Sequence, residues 1–225
     1  MEEKASMELT IGGILIKKGV ITKANPEWRR AKDIMGPHFF GFEEAMRHLD
    51  IAPTHSEADL FSKVPFTDTK LEACCGSHIL VANFGLPIVE LMNRLGDELF
   101  RYEGRWLRHQ QFASRQGKPG WELIRKTLLE GSLTKTWAQQ QRMVRENESI
   151  PIAQSIAYTV IGHFLSTSER LLQQQYVRCS DEELGARHIC VGRFERQGVS
   201  FDRYLDNGAY EFGLGILTSE HPDRT

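Results

Sequence analysis

The sequence predicts an α+β fold in which an antiparallel β-meander packs on a long amphipathic helix. Apolar residues between about 152 and 173 recur at the spacing of one helical face. Four strand-like runs with short connections follow this helix, between Tyr176 and Leu217. With 40% hydrophobic and 26% charged residues among 225, the chain has the composition of an ordinary folded protein.

The N-terminal region is expected to differ from the rest of the chain. Its apolar run, Ile11–Ile21, is interrupted by glycines and lysines, and its β-branched residues favour short strands over a helix. Residues 1–36 are therefore predicted to form an extension or short strands, and residues 37–225 a single α+β domain. A Gly-Pro pair separates the two before a short helical segment, Phe42–Leu49.

A strand-loop-helix unit is predicted further along the N-terminal half. His78–Phe84 is a β-type run, and the helix that follows it begins at Pro87 and ends at Gly96. Before the strand, Thr67 can cap a short helix, because its hydroxyl accepts a hydrogen bond from a free amide of the first turn. The loop after the strand lacks the spaced glycines and the lysine of a phosphate-binding loop, so we interpret it as a structural connection.

The predicted long helix, about 152–173, has two distinct sides. Ile156, Val160 and Phe164 fall on its apolar side, whereas Ser155 falls on the opposite side and is expected to face solvent. The apolar side is expected to pack on the strands that follow.

Those strands are predicted to pair in sequence order as an antiparallel meander. Asn207 and Gly208, before the last strand, form the strongest two-residue hairpin signal, because both positions tolerate a positive φ. Another helix is expected within the basic segment described below, starting at Thr134 or Thr136 and running through Val144.

Charge and cysteine usage narrow the cellular setting. A formal net charge of −2 gives no overall field for a polyanionic partner. No window supplies the ~20 uninterrupted apolar residues of a membrane span, and the N-terminus does not read as a secretory signal. Four cysteines without an export signal suit a reducing compartment. We therefore expect a cytoplasmic protein with no membrane partner.

Residues 98–145 differ strongly in charge from the chain as a whole. They contain ten basic and four acidic residues, a local charge of +6, with aromatic residues interleaved. Basic side chains bind phosphates and aromatic faces stack on bases, so this composition suits single-stranded nucleic acid. A protein partner, or a solvated helical face balanced by acids elsewhere in the fold, accounts for the same pattern. The candidate contact residues are Arg101, Arg105, Trp106, Arg108 and Arg115.

A second hypothesis is catalysis by a cysteine or a histidine. A thiolate nucleophile needs a nearby histidine or cation to lower its pKa, and Cys75 and His78 could supply such a pair. His163 is a further candidate, because Thr167 lies one helical turn away from it. The sequence has no nucleophile elbow and no cysteine-protease signature. A histidine nitrogen within hydrogen-bond reach of Cys75, in an open cleft, would favour an enzyme.

The same residue types offer two pairs of zinc ligands. Cys75 and His78 are three residues apart, and His188 and Cys190 are two apart on one face of a predicted strand. Structural zinc sites usually combine two closely spaced knuckles, and only the first pair has that spacing. The alternative is that both cysteines are small buried hydrophobes. We predict no metal and no other cofactor. The acids Asp181–Glu183 are interpreted as solvating a turn.

Several short strings resemble a known protein family. In chain order they are Trp121–Lys126, Thr136–Gln140, Pro151–Ala153, His163–Leu171, Tyr176–Cys179 and Val191–Phe194. Together they resemble a family of uncharacterised, hypothetical bacterial proteins with no assigned function, from about Pro65 to the C-terminus. The resemblance implies a bacterial, cytoplasmic origin, and it transfers no catalytic residue.

These observations favour a soluble bacterial binding or interaction protein without an evident catalytic motif. Contact with nucleic acid through residues 98–145 is the specific form of this hypothesis. The alternative is a small hydrolase or transferase that depends on Cys75 or on the region around His163.

Overall fold

The α+β class is confirmed by the computed structural model, which describes residues 9–11, 14–17, 20–23, 27–101, 104–183, 185–211 and 213–223. It leaves aside the side chains that precede residue 27 and those of residues 97, 104 and 105. Its helices are α1 (Glu27–Met35), α2 (Phe42–Leu49), α3 (His55–Phe61), α4 (Asp68–Cys74), α5 (Ile88–Leu95), α6 (Gly104–Arg108), α7 (Gln111–Ser114), α8 (Trp137–Gln141) and α9 (Ala153–Thr167).

The strands of the described ranges form three sheets. They are β1 (Leu9–Ile11), β2 (Ile14–Lys17), β3 (Val20–Lys23), β4 (Phe39–Phe40), β5 (His78–Asn83), β6 (Gly120–Arg125), β7 (Glu148–Ser149), β8 (Tyr176–Glu183), β9 (Arg187–Glu195), β10 (Gly198–Leu205), β11 (Leu214–Ile216) and β12 (Ser219–Glu220). The first three strands form a small antiparallel sheet. The others form a mixed five-stranded sheet, β4-β5-β6-β12-β7, and a mixed four-stranded sheet, β10-β9-β8-β11.

Several helix ends follow the local signals of the sequence. Thr67 caps α4 and Thr136 caps α8, each by accepting a hydrogen bond from an amide of the first turn. Helix α5 starts after Pro87 and ends at Gly96. These predictions are confirmed. They could be made from local sequence because each depends on backbone groups within one turn of the capping residue.

Helix α1 is an element that the sequence analysis missed. Trp28, Ala31 and Met35 lie at positions i, i+3 and i+7 and are buried, so they form a narrow apolar stripe. Charged residues surround the stripe and obscure its period in the sequence. Among the described helices, none is both long and apolar enough to cross a membrane.

Helix α9 lies between the two larger sheets. Every residue from Ala153 to His163 is buried. On one side, the Tyr158 hydroxyl donates a hydrogen bond to the Ala82 carbonyl of β5, at 3.0 Å. On the other side, the Ala153 amide donates to Asp181 Oδ2 of β8, at 2.5 Å. Two sheets therefore cover the helix from two directions.

The expectation of a solvent-facing side on this helix is wrong. Ser155 is buried, and its hydroxyl donates to Glu122 Oε1 of β6 at 2.8 Å. The helix is also shorter than predicted and ends at Thr167. Ser168 stops it by adopting the left-handed conformation, with φ 64°, while its N–H donates to the Phe164 carbonyl.

The predicted meander is realised by three strands rather than four. β8, β9 and β10 pair antiparallel in sequence order, but β11 pairs parallel with β8 at the opposite edge of the sheet. Asn207 and Gly208 therefore do not connect paired strands. Instead, the guanidinium of fully buried Arg178 donates to the carbonyls of Gly208 and Leu205, at 2.8 and 3.0 Å, and fixes this turn.

Candidate functional site

A cleft opens between α7 and the hairpin formed by β8 and β9. Its volume is about 700 Å³, within the range of sites that bind small organic ligands. Its walls carry three arginines, three acids and two glutamines. The lining residues are Gln110, Gln111, Phe112, Arg115, Asp181, Glu182, Glu183, Gly185, Arg187, Ile189 and Arg203.

The cleft exists because one face of the four-stranded sheet changes from apolar to charged along its length. Phe201 of β10 packs near Phe112 of α7, with ring centroids 6.5 Å apart. Two residues further along β10, on the same face, stands Arg203, and in β9 the buried Ile189 alternates in the same way with exposed Arg187. Helix α7 covers the apolar part and leaves the charged end open.

Two of the three arginines in the cleft face carboxylates. Arg203 Nη1 donates to both carboxylate oxygens of Glu183, at 3.0 and 3.2 Å. Arg115 Nη1 lies 3.7 Å from Asp181 Oδ1. These pairs connect the residue after α7 to β8, and β8 to β10, across the walls of the cleft.

The remaining two charges in the lining of the cleft belong to Arg187 and Glu182. Both side chains are exposed, and neither has a hydrogen-bond or ion-pair partner among the described residues. The lining holds three arginines and three acids, and two of each are paired with one another. Among the described residues, one cation and one anion of the cleft therefore remain without a partner.

Asp181 connects the cleft to the first turn of α9. Its Oδ2 accepts from the Ala153 amide, where the helix has no side-chain cap of its own. Burial raises the pKa of the Asp181 carboxyl, while this hydrogen bond and Arg115 oppose the rise. A carboxylate at this end also interacts with the positive end of the helix dipole, so Asp181 anchors one wall of the cleft to the central helix.

The aromatic residues nearest the cleft already have partners. Trp106 is partly buried, and the Arg203 guanidinium lies 5.3 Å from its ring centroid. The Phe112 ring, 6.1 Å from Trp106, is buried. Phe112 therefore contributes to the apolar floor, whereas Trp106 carries a cation on its face.

The predicted basic contact residues are spread over more than one part of the surface. Arg115 lines the cleft, whereas Arg108 is exposed and donates to Asn93 Oδ1 of α5 at 2.6 Å. Arg101 is partly buried beside β10. The Arg105 side chain belongs to the part of the chain that the structure does not describe.

The sequence analysis missed the cleft residues of the C-terminal strands. Arg187 and Arg203 interrupt the otherwise apolar face of their strands, and that interruption was the available signal. Asp181, Glu182 and Glu183, interpreted from sequence as solvating a turn, line the same cleft.

Cys75 and His78 are not arranged as a nucleophile and its base. The Cys75 thiol donates to the Glu72 carbonyl at 3.2 Å, and it bonds no histidine nitrogen of the described ranges. His78 Nδ1 lies 2.8 Å from Ser77 Oγ, and its Nε2 lies 4.0 Å from Glu220 Oε1. Burial lowers the pKa of His78 to about 4, so the imidazole is a weak base at neutral pH.

His163 is buried in a row of four titratable side chains. Its Nε2 lies 2.8 Å from Glu169 Oε2, and its ring stacks 5.7 Å from that of His38. Lys126 Nζ lies 3.0 Å from His38 Nε2. Thr167, the neighbour predicted from helical spacing, donates to the backbone carbonyl of His163. With 1% of its surface exposed, His163 does not reach a substrate in this conformation.

The second sequence-predicted ligand pair is also engaged elsewhere. His188 Nδ1 lies 2.6 Å from Asp206 Oδ1, and burial raises the pKa of the Cys190 thiol. A thiol that keeps its proton is a poor metal ligand. Within the described ranges, no three His, Cys, Asp or Glu side chains are grouped to hold a metal ion.

Comparison with known proteins gives no further guide to function. No family model, no curated protein and no solved structure matches the chain. The family resemblance stays a prediction from sequence.

Proposed function

We propose that this protein is a binding protein whose ligand is a short zwitterionic peptide held in the cleft between α7 and the β8–β9 hairpin. The free pair Arg187 and Glu182 carries this proposal. A ligand carboxylate pairs with the guanidinium of Arg187, and a ligand ammonium pairs with Glu182. Such a ligand satisfies both available charges at once.

The balance of charge in the cleft favours a zwitterion over an anion. Arg203 is bonded to Glu183, and Arg115 faces Asp181. An anionic ligand would have to compete with these carboxylates and would be repelled by them. A zwitterion leaves both pairs in place and uses only the free charges.

The rest of the lining suits a peptide backbone. Gln110 and Gln111 stand on the wall opposite the hairpin, and their amide groups can donate to and accept from peptide groups. Phe112 and Ile189 form an apolar floor. Partial exclusion of water by this floor strengthens the two ion pairs relative to pairs on an open surface.

Calorimetric titration with three peptides, Lys-Glu, Glu-Lys and triglycine, tests the proposal. We expect at least one peptide to bind with one-to-one stoichiometry and a Kd between about 1 μM and 1 mM. Arg187→Ala and Glu182→Gln should each weaken binding about tenfold or more, because each removes one charge pair. Arg196→Ala, which changes an exposed arginine in the turn between β9 and β10, should bind as the wild type does.

Two outcomes would overturn the proposal. One is the absence of binding by all three peptides at about 10 mM, well above the weakest affinity expected. The other is an equal loss of affinity in Arg196→Ala and Arg187→Ala, since the effect would then reflect net charge rather than the cleft.

A second candidate ligand is single-stranded nucleic acid. The observation that favours it is the Arg203 guanidinium over the Trp106 ring, beside a segment with exposed Arg108 and Arg115, because a base can stack on such a pair. Fluorescence anisotropy with a labelled oligothymidine should then show affinity that falls with salt, with a slope of about −0.7 per phosphate contact. Trp106→Ala should weaken the free energy of oligonucleotide binding by about 1–3 kcal/mol. No binding at about 50 mM salt would dismiss this candidate.

The cellular setting is part of the same proposal. Cys74, Cys75, Cys179 and Cys190 are all free thiols, which supports a reducing compartment such as the bacterial cytoplasm. For the alternative, a hydrolase or transferase that depends on Cys75, the described residues give no thiol–imidazole contact to support it.

A further inference from the structure

The row Lys126, His38, His163 and Glu169 lies apart from the lining of the cleft. Its members come from four segments: the residue after β6, the short 3₁₀ turn Gly36–His38 before β4, helix α9, and the chain after α9. The row therefore fastens the turn before β4 to the central helix and to the five-stranded sheet.

The hydrogen bonds of the row require a neutral His38. Lys126 Nζ lies 3.0 Å from His38 Nε2, and an ammonium group can only donate, so Nε2 must accept. The proton of the neutral ring is then on Nδ1, which is buried and has no hydrogen-bond partner among the described residues. A second proton would place an N–H opposite an ammonium and leave the other N–H unpaired.

Most of the surrounding groups also favour a neutral His38. Burial, Lys126 and His163 all lower the pKa of His38, and Glu169, the carboxylate at the far end of the row, opposes them. Glu169 is bonded to His163 rather than to His38. Among the described residues, no carboxylate contacts His38 directly, so a protonated ring would have no compensating ion pair there.

We propose that His38 is an acid-operated latch, which holds the turn before β4 against Lys126 and α9 when neutral and releases that turn to solvent when protonated. The turn can open locally while its neighbours Met35 and Phe39 stay in the core, because Gly36 and Pro37 between them are exposed. The contact between His163 Nε2 and Glu169 Oε2 does not involve the turn, so it can persist during release.

Hydrogen–deuterium exchange on the full chain, at steps from about pH 7.5 to about pH 4.5 across the ordinary titration range of histidine, tests the latch. After correction for the intrinsic rate, peptides covering residues 33–40 should exchange faster at acidic pH, whereas peptides covering β9 should not. His38→Gln should keep the turn protected throughout, because the amide oxygen can accept from Lys126 and does not titrate.

A second variant tests the part played by Lys126. Lys126→Met removes both the donor to neutral His38 and the cation that repels protonated His38, so the difference in exchange between neutral and acidic pH should shrink. His109→Gln, a change at an exposed histidine elsewhere, should retain the wild-type profile. The latch is refuted if His38→Gln opens with the same pH dependence as the wild type, or if the wild-type turn is equally protected at both ends of the series.

Discussion

Replacing Ser155 with alanine tests the position of α9 between the two sheets. The sequence pattern places Ser155 on a solvent face, where the change would cost less than about 0.5 kcal/mol. In the structure the residue is 3% exposed, and its hydroxyl donates to Glu122 Oε1 at 2.8 Å. The two descriptions of the helix therefore give different magnitudes for the same variant.

The structural magnitude follows from the carboxylate that loses its donor. Glu122 Oε2 still accepts from Asn83 Nδ2 at 3.0 Å, but Oε1 would lose the Ser155 hydroxyl in a buried environment. Hydrogen bonds to charged groups are worth about 1.5–3 kcal/mol. Burial already raises the pKa of Glu122, and its bonds to Asn83 and Ser155 oppose that rise. We expect Ser155→Ala to lower the free energy of unfolding by about 1.5–3 kcal/mol.

Urea unfolding measures this difference through the transition midpoint, provided that the denaturant slope is unchanged. Ser166→Ala is the matched control, because Ser166 is an exposed serine near the end of the same helix. Its effect should stay within about 0.5 kcal/mol. Equal, small shifts in the two variants would show that Ser155 faces solvent and would refute the central position of α9.

Three further predictions concern the buried parts of the fold, and thermal or urea unfolding checks each. Gly162→Ala should destabilise the protein by about 1–3 kcal/mol, because the new Cβ would lie 2.7 Å from the Phe40 ring. An increase in stability, as expected for alanine in a solvent-exposed helix, would contradict this contact. Arg178→Met should lower the free energy of unfolding by about 3–5 kcal/mol, because it leaves several buried acceptors without donors. A loss below about 1 kcal/mol would show that water replaces the guanidinium. Because burial lowers the pKa of His78 to about 4, the unfolded chain binds more protons than the folded chain below pH ~6.5, and stability should fall as pH drops from there towards about 4. His78→Gln should reduce this dependence of stability on pH, and an unchanged dependence would contradict the burial of His78.

The sequence predicted best those features that depend on neighbouring residues. Thr67, Thr136, Pro87 and Gly96 mark helix ends correctly, because each acts on backbone groups within one turn. Ser155 shows where local reasoning stops. Its partners, Glu122 and Asn83, lie more than thirty residues away in the chain, so a polar residue on a second buried face has the same sequence pattern as an exposed one.

The candidate site shows the same division. Arg115 was identified from a local excess of basic residues, and it lines the cleft. Arg187, Arg203 and Asp181 join it only through the register of β8, β9 and β10. Strand register over such a distance is set by the whole sheet and its covering helix, so their convergence could not be read from spacing.

Nuclear magnetic resonance of the arginine side chains, with Lys-Glu, Glu-Lys and triglycine added in turn to ¹⁵N-labelled protein, locates the bound peptide at the level of single residues. The proposed function predicts that the Nε–H signal of Arg187 moves most, because Arg187 is the cleft arginine without an ion-pair partner among the described residues. Smaller changes are expected at Arg115 and Arg203, and none at Arg196. The largest change at Arg108, or unchanged signals throughout, would contradict peptide binding in the cleft.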